Sequence, residues 1–114
     1  MENLKIFQKV FDFTVWMLNH TNKFPKSHRF SLAIRIENLL LEMLEQIIIA
    51  NRQREKLSFL IKIDEKLSVL RILCRLAYTM KFIAINSYEY ACKEIDEIGK
   101  MLGAWIKQQK GSKQ

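Results

Sequence analysis

At 114 residues the chain is the size of one domain, long enough for a real core and too short for two independent ones. With 49% apolar residues, 27% charged, three glycines and one proline, it is neither disordered nor turn-rich, which disfavours an all-β protein and leaves an all-α one as the expectation. A net charge of +7 points to nucleic acid, an anionic surface or an acidic protein as partner, so what matters is where the cations sit.

Between Leu4 and Asn19 the residues Leu4, Phe7, Phe11, Val15 and Leu18 recur at steps of three and four. That spacing predicts one helix, over about 4–20, with these residues as its core stripe and with Ile6, Phe13 and Met17 as surplus apolar surface opposite. The stretch "NHTNKFPK" breaks the pattern, and Pro25 suits the first turn of a second helix, predicted over 26–51. Its stripe, from Phe30 to Ile48, is widened by Ile36, Leu39, Met43 and Ile49, so this helix too carries more apolar surface than one core needs. After the charged link "NRQREK" a third helix is predicted over 56–84, with Leu67, Leu70, Leu73, Cys74, Ala77 and Met80 inward. Ser87 is the candidate N-cap of a fourth helix over 87–109, whose stripe runs through Ala91, Ile95, Ile98, Leu102, Trp105 and Ile106. Residues 110–114 read as a frayed tail. Four helices with short links pack most simply as an antiparallel up-down-up-down bundle, and the surplus faces, with Phe13, Met17 and Ile36, then call for self-association.

The segment "IGKMLGAWI" places Gly99 and Gly103 one above the other on a helix, in line with Cys92. An interior glycine costs a helix about 1 kcal/mol relative to alanine. Close approach of another helix, within the chain or from a second copy, is the expected compensation, with Trp105 packing beside it.

Cys74 and Cys92 lie in apolar helical patterns with no CxxC and no histidine at ligand spacing, as expected of reduced thiols in the core of a cytoplasmic protein. No apolar run approaches the ~20 residues of a membrane span and no export signal is recognisable, so a soluble protein is expected. His20 and His28 are separated by a proline break. There are no paired carboxylates beside an apolar pocket, no nucleophile–histidine arrangement and no phosphate loop. No catalytic residue, metal or cofactor is therefore expected.

Positive charge concentrates in residues 51–81, with eight basic and three acidic side chains, and in residues 98–114, with four basic and none acidic. On the third helix Arg71 and Arg75 stand one turn apart with no acid four residues away from either, so two guanidinium forks project together toward a phosphate or carboxylate. Arg52, Arg54, Lys56 and Lys66 extend that patch. Lys26, His28 and Arg29 open the second helix, where cations oppose the dipole, which hints at a partner or at an acid from another copy. A merely solvated face is the alternative for all of them. Lys107, Lys110 and Lys113 suit a helix C-terminus, and Trp16 reads as packing rather than base stacking.

Taken in order, "FPKSHRF" (24–30), "LSVLRILCRL" (67–76) and "IGKMLGAWI" (98–106) resemble the accessory variability determinants of diversity-generating retroelements. These belong to a wider group of small four-helix-bundle proteins that includes those encoded in intervening sequences of 23S ribosomal RNA genes. "EMLEQIIIANR" late in the second helix departs from the ribosomal branch and favours the retroelement one. The resemblance implies a homopentameric barrel that binds a reverse transcriptase and RNA or DNA through basic surfaces, without catalysis of its own. Two other readings are a ribosomal-intervening-sequence protein with RNA as partner and a purely structural oligomer. A membrane-surface role fits poorly, because the cations are spread over several faces.

Overall fold

The computed structural model describes residues 4–111 and contains, among them, four α-helices and no strand: α1 (Leu4–Thr21), α2 (Ile34–Arg52), α3 (Leu57–Thr79) and α4 (Ile85–Gly111). α1 packs against α2 and α4, and α3 packs against α2 and α4, so the helices surround one shared core in a body of 49 × 23 × 20 Å. This arrangement is compatible with a four-helix bundle.

On α1 the core face is Ile6, Val10, Phe13 and Met17, all buried, whereas Leu4, Phe11, Val15 and Leu18 are exposed and Phe7 is half-buried. The expected core stripe and the expected surplus are thus exchanged. Both follow a three-and-four spacing, so periodicity cannot rank them; the polar neighbours can. Thr14 and Thr21 flank the true core face and satisfy their hydroxyls on burial, Thr14 by donating to the Val10 carbonyl at 2.7 Å and Thr21 by donating to the Glu37 carboxylate of α2 at 2.6 Å. Lys9 reaches α4 from the same side, where its ammonium pairs with Glu94 and Glu97. On the outward side, Gln8 Nε2 donates to Asp12 Oδ1 at 2.9 Å and both stay exposed.

The second helix begins helically at Lys26 as expected, but not as an α-helix. Lys26–His28 is a 3₁₀ turn and Arg29–Ala33 a π turn, and α geometry starts only at Ile34. Pro25 stands before the first turn in extended backbone without a side-chain cap, and the wider π turn rotates the preceding residues relative to α2. Phe30, expected in the core stripe, is left 88% exposed. The core of α2 is instead Ile36, Leu39, Leu40, Met43, Ile47 and Ala50.

α3 buries Leu60, Ile63, Leu67, Leu70, Cys74 and Ala77, while Leu73 is half-buried and Met80 exposed, against the expectation of both inward. It stops at Thr79, five residues before the predicted end, in a Schellman motif. Lys81 takes a left-handed φ of 65°, its N–H donates to the Tyr78 carbonyl at 2.9 Å, and the Phe82 N–H donates to the Ala77 carbonyl at 2.9 Å. The half-buried Phe82 ring then packs on Phe24.

α4 starts at Ile85, so Ser87 lies inside its first turn instead of capping it, and the hydroxyl faces Nε2 of His20 at 3.3 Å. The His20 ring donates from Nδ1 to the Trp16 carbonyl at 2.9 Å, since a carbonyl can only accept. Trp16 sits between this ring and Tyr90, a packing role. Of the expected stripe, Ala91, Ile95, Ile98, Leu102 and Trp105 are buried, joined by Glu94, while Ile106 is only half-buried. Helical backbone continues through Lys110 and Gly111, where fraying was expected; the rest of that tail, with Lys113, lies outside the described residues.

Candidate nucleic-acid and partner interface

Arg71 and Arg75 both reach solvent from α3, one turn apart. They are not equivalent. Arg71 Nη1 donates to Asp96 Oδ1 of α4 at 2.7 Å, while Arg75 has no ion pair among the described residues. The acid that neutralises Arg71 lies 25 residues away in sequence, on a different helix, which is why a search at helical spacing misses it. Both members of the pair are about half exposed, so the contact contributes about 0–1 kcal/mol and a phosphate can displace the carboxylate at little cost.

The other predicted cations divide by what the fold gives them. Lys66 pairs loosely with Glu42 of α2 at 3.5 Å. Arg52 and Arg54 are exposed and make no ion pair among the described residues. Lys56 is withdrawn from the patch: its ammonium folds back on the end of α2 and donates to the carbonyls of Ala50, Asn51 and Gln53, of which Ala50 also accepts from the Gln53 N–H. At the start of the second helix Lys26 is exposed, and Arg29 Nε donates to the Phe24 carbonyl at 3.2 Å, so one of the two cations there braces the proline turn.

The residues expected to pack against a second copy are placed differently. Phe13, Met17, Ile36 and Trp105 are buried within the chain and offer no surface to another molecule. Gly99 faces Leu67 of α3, but a Cβ there would sit 3.6 Å from Leu67 Cδ2, an ordinary contact that alanine could make. Gly103 is exposed, with nothing within 4 Å of a Cβ built on it. Close helix approach therefore does not account for either glycine within the chain. Apolar surface that does remain outside includes Leu4, Phe11, Val15 and Leu18 on α1, Leu41 and Ile48 on α2, Val69, Ile72 and Leu76 on α3, and Met80 just beyond its end. The sequence pattern assigned Leu4, Phe11, Val15, Leu18, Leu41, Ile48 and Met80 inward, and left Val69, Ile72 and Leu76 unassigned.

Between the start of the second helix and the end of α3 lies an open groove of about 690 Å³. Phe30, Leu32, Leu73, Leu76, Met80 and Phe82 supply its apolar lining, and His28, Ser31 and Arg35 its polar one.

Burial within the α3–α4 packing pushes the Cys74 thiol up to about 12, which keeps it protonated and inert at neutral pH; Cys92 is half-buried, and neither forms a disulfide. Among the described residues no three His, Cys, Asp or Glu side chains come together as a metal site, and no helix is long and apolar enough to cross a membrane.

None of the curated proteins matches the chain. The profile of the bAvd-like family matches residues 4–109, which takes in the first three helices, α4 up to its last two residues, the proline turn, the α3 arginines, Gly99 and Gly103. On that match the chain, whose motifs resemble accessory variability determinants, belongs to the bAvd-like family.

Proposed function

We propose that the chain is a non-catalytic accessory protein of a diversity-generating retroelement, acting in the cytoplasm to hold the element's reverse transcriptase and its RNA or DNA during mutagenic cDNA synthesis. The observation that carries this reading is the family match over residues 4–109. The chain folds as an antiparallel up-down-up-down bundle and assembles as a pentamer, which repeats each basic patch around a ring. Several modest patches bound at once gain affinity through effective concentration.

Of the cations predicted for the patch, Arg75, Arg52 and Arg54 are open to phosphate, and Arg71 and Lys66 join them by exchanging Asp96 and Glu42 for it. Lys26 and Arg29 form a second, smaller patch at the proline turn. Phosphate contacts of this kind carry little sequence information and weaken steeply with salt. The test is the double variant Arg71→Ala/Arg75→Ala, titrated with template RNA and with reverse transcriptase over a range of salt. Helical content should be unchanged, RNA affinity should fall, and the salt slope should shrink by about 1.5–2, close to one per lost phosphate contact. Unchanged affinity with an unchanged slope removes these two arginines from the interface.

A further inference from the structure

The rings of Tyr78, at the end of α3, and Tyr88, in the first turn of α4, stack face to face with centroids 4.7 Å apart and planes 4° from parallel. Tyr88 is half-buried and Tyr78 is exposed. Arg71, Arg75 and Tyr78 follow one another at steps of four and three, so they leave α3 on one stripe, spread over about 10 Å of its axis. A hydrogen bond with Cys92, and then burial, raises the Tyr88 phenol above its ordinary 10.0, while Arg75 acts against them, which places its guanidinium near the stack. The carboxylates that share the α4 surface with Tyr88 are Glu89, Asp96 and Glu97. Arg71 holds Asp96 and Lys9 holds Glu97, which leaves Glu89 against Arg75, Lys81, Lys93 and Lys100, all exposed and none in an ion pair among the described residues. The next acid on the α3 stripe, Asp64, lies two turns before Arg71. The surroundings of the stack are therefore net positive.

We infer that this strip is a subsite for single-stranded nucleic acid: an unpaired base stacks on Tyr78, extending the ring pair, and the phosphates on one side of it lie along Arg75 and Arg71. A base offers its face in this way only where the strand is unpaired, because inside a duplex both faces are taken by neighbouring bases. Tyr88 backs the Tyr78 ring and holds its orientation before any base arrives, so little side-chain freedom is lost on binding. The two halves of the subsite act through different physics. Phosphate contacts release counterions and weaken with salt, whereas stacking tolerates any base and adds nothing to the salt slope. The inference rests on the nucleic-acid part of the proposed function and deepens it, since it names the strandedness of the ligand and the residue that selects for it.

The experiment is fluorescence anisotropy on the full chain at several salt concentrations, with labelled oligoadenylate, oligodeoxyadenylate, an abasic strand of the same length and an RNA duplex. Wild type, Tyr78→Leu and Tyr78→Phe are compared, with circular dichroism and light-scattering mass recorded for each. Wild type should bind either adenylate strand several-fold more tightly than the abasic strand, which carries the same charge without bases. Tyr78→Leu should weaken binding of both adenylate strands by about fivefold or more, with the salt slope unchanged and the duplex and abasic strand within about twofold of wild type. Tyr78→Phe, which keeps the ring, should bind as wild type does. The tighter of the two adenylate strands then identifies whether RNA or its cDNA uses the subsite. Equal wild-type affinity for adenylate and abasic strands, or wild-type affinity in Tyr78→Leu, overturns the inference and leaves the phosphate contacts standing. An equal loss on duplex or abasic strand overturns it as well, because the ring then acts on something other than a base. A changed mass in Tyr78→Leu assigns the ring pair to a contact between copies and also overturns it. Wild type that binds none of the probes at low salt overturns both the inference and the nucleic-acid part of the proposed function.

Discussion

At Gly103 the backbone is an ordinary helix and the space above it is empty, so nothing in the protomer requires glycine there. Gly103→Ala is expected to raise the stability of the isolated protomer by about 0.5–1 kcal/mol, measured by urea denaturation, because alanine loses less backbone entropy in a helix. Lys9 is the opposite case, a residue whose polar surroundings are specific. Its ammonium donates to Glu97, which holds that carboxyl below its ordinary value of 4.5, and in turn Glu97 and Glu94 raise Lys9 above 10.5 against the effect of burial. The Glu97 contribution is present above pH 4.5 and is lost as pH falls through the lowered folded-state value. The Lys9 contribution is present below pH 10.5 and is lost as pH rises through the raised one. Thermal midpoints of Lys9→Met should therefore lie below wild type at neutral pH and fall less steeply toward both extremes. Equal pH dependence in the two proteins would show that the pair is uncoupled from folding. None of this was legible in the sequence: Lys9 and Glu94 are 85 residues apart, as Arg71 and Asp96 are 25 apart, and helical spacing finds only partners on the same turn or the next.

Helix existence and type were legible, because each helix repeats apolar residues at three and four over several turns. Which face of α1 points inward was not, since Leu4-Phe11-Val15-Leu18 and Ile6-Val10-Phe13-Met17 fit the same period. The difference is measurable. Phe13→Ala, which empties a fully buried site, should cost about 3–5 kcal/mol, whereas Phe11→Ser should change protomer stability by less than about 0.5 kcal/mol. The reverse ranking would restore the sequence-based assignment of the face. The start of the second helix was placed correctly at Lys26, but its 3₁₀ and π turns leave no trace in composition, and the exposure of Phe30 follows from them. The end of α3 was missed because the left-handed residue that closes it is Lys81, where a glycine would have announced the stop.

For the whole molecule, exposed charge and exposed apolar surface meet on α3, where Arg71 and Arg75 alternate with Ile72 and Leu76, while α1 presents an apolar face of its own. Of the cations predicted for the patch, Arg52, Arg54 and Arg75 remain unpaired among the described residues and belong to α3, its preceding link and the end of α2, and uncovered apolar side chains lie on all four helices. A protomer of this kind suits an assembly whose copies contact one another through apolar faces while each contributes basic side chains to a shared surface. Net charge was legible at once in the sequence; its usable portion needed the fold, which occupies Lys56 at a helix end and pairs Arg71 with Asp96. The central claim is that this assembly holds a reverse transcriptase and its template. The most direct test is light-scattering mass of the purified protein, alone and then with the reverse transcriptase and template RNA at two salt concentrations. The account expects an oligomer that forms a complex of defined mass at low salt and releases nucleic acid as salt rises. A monomer, or an oligomer that adds no mass with either component at low salt, would contradict it.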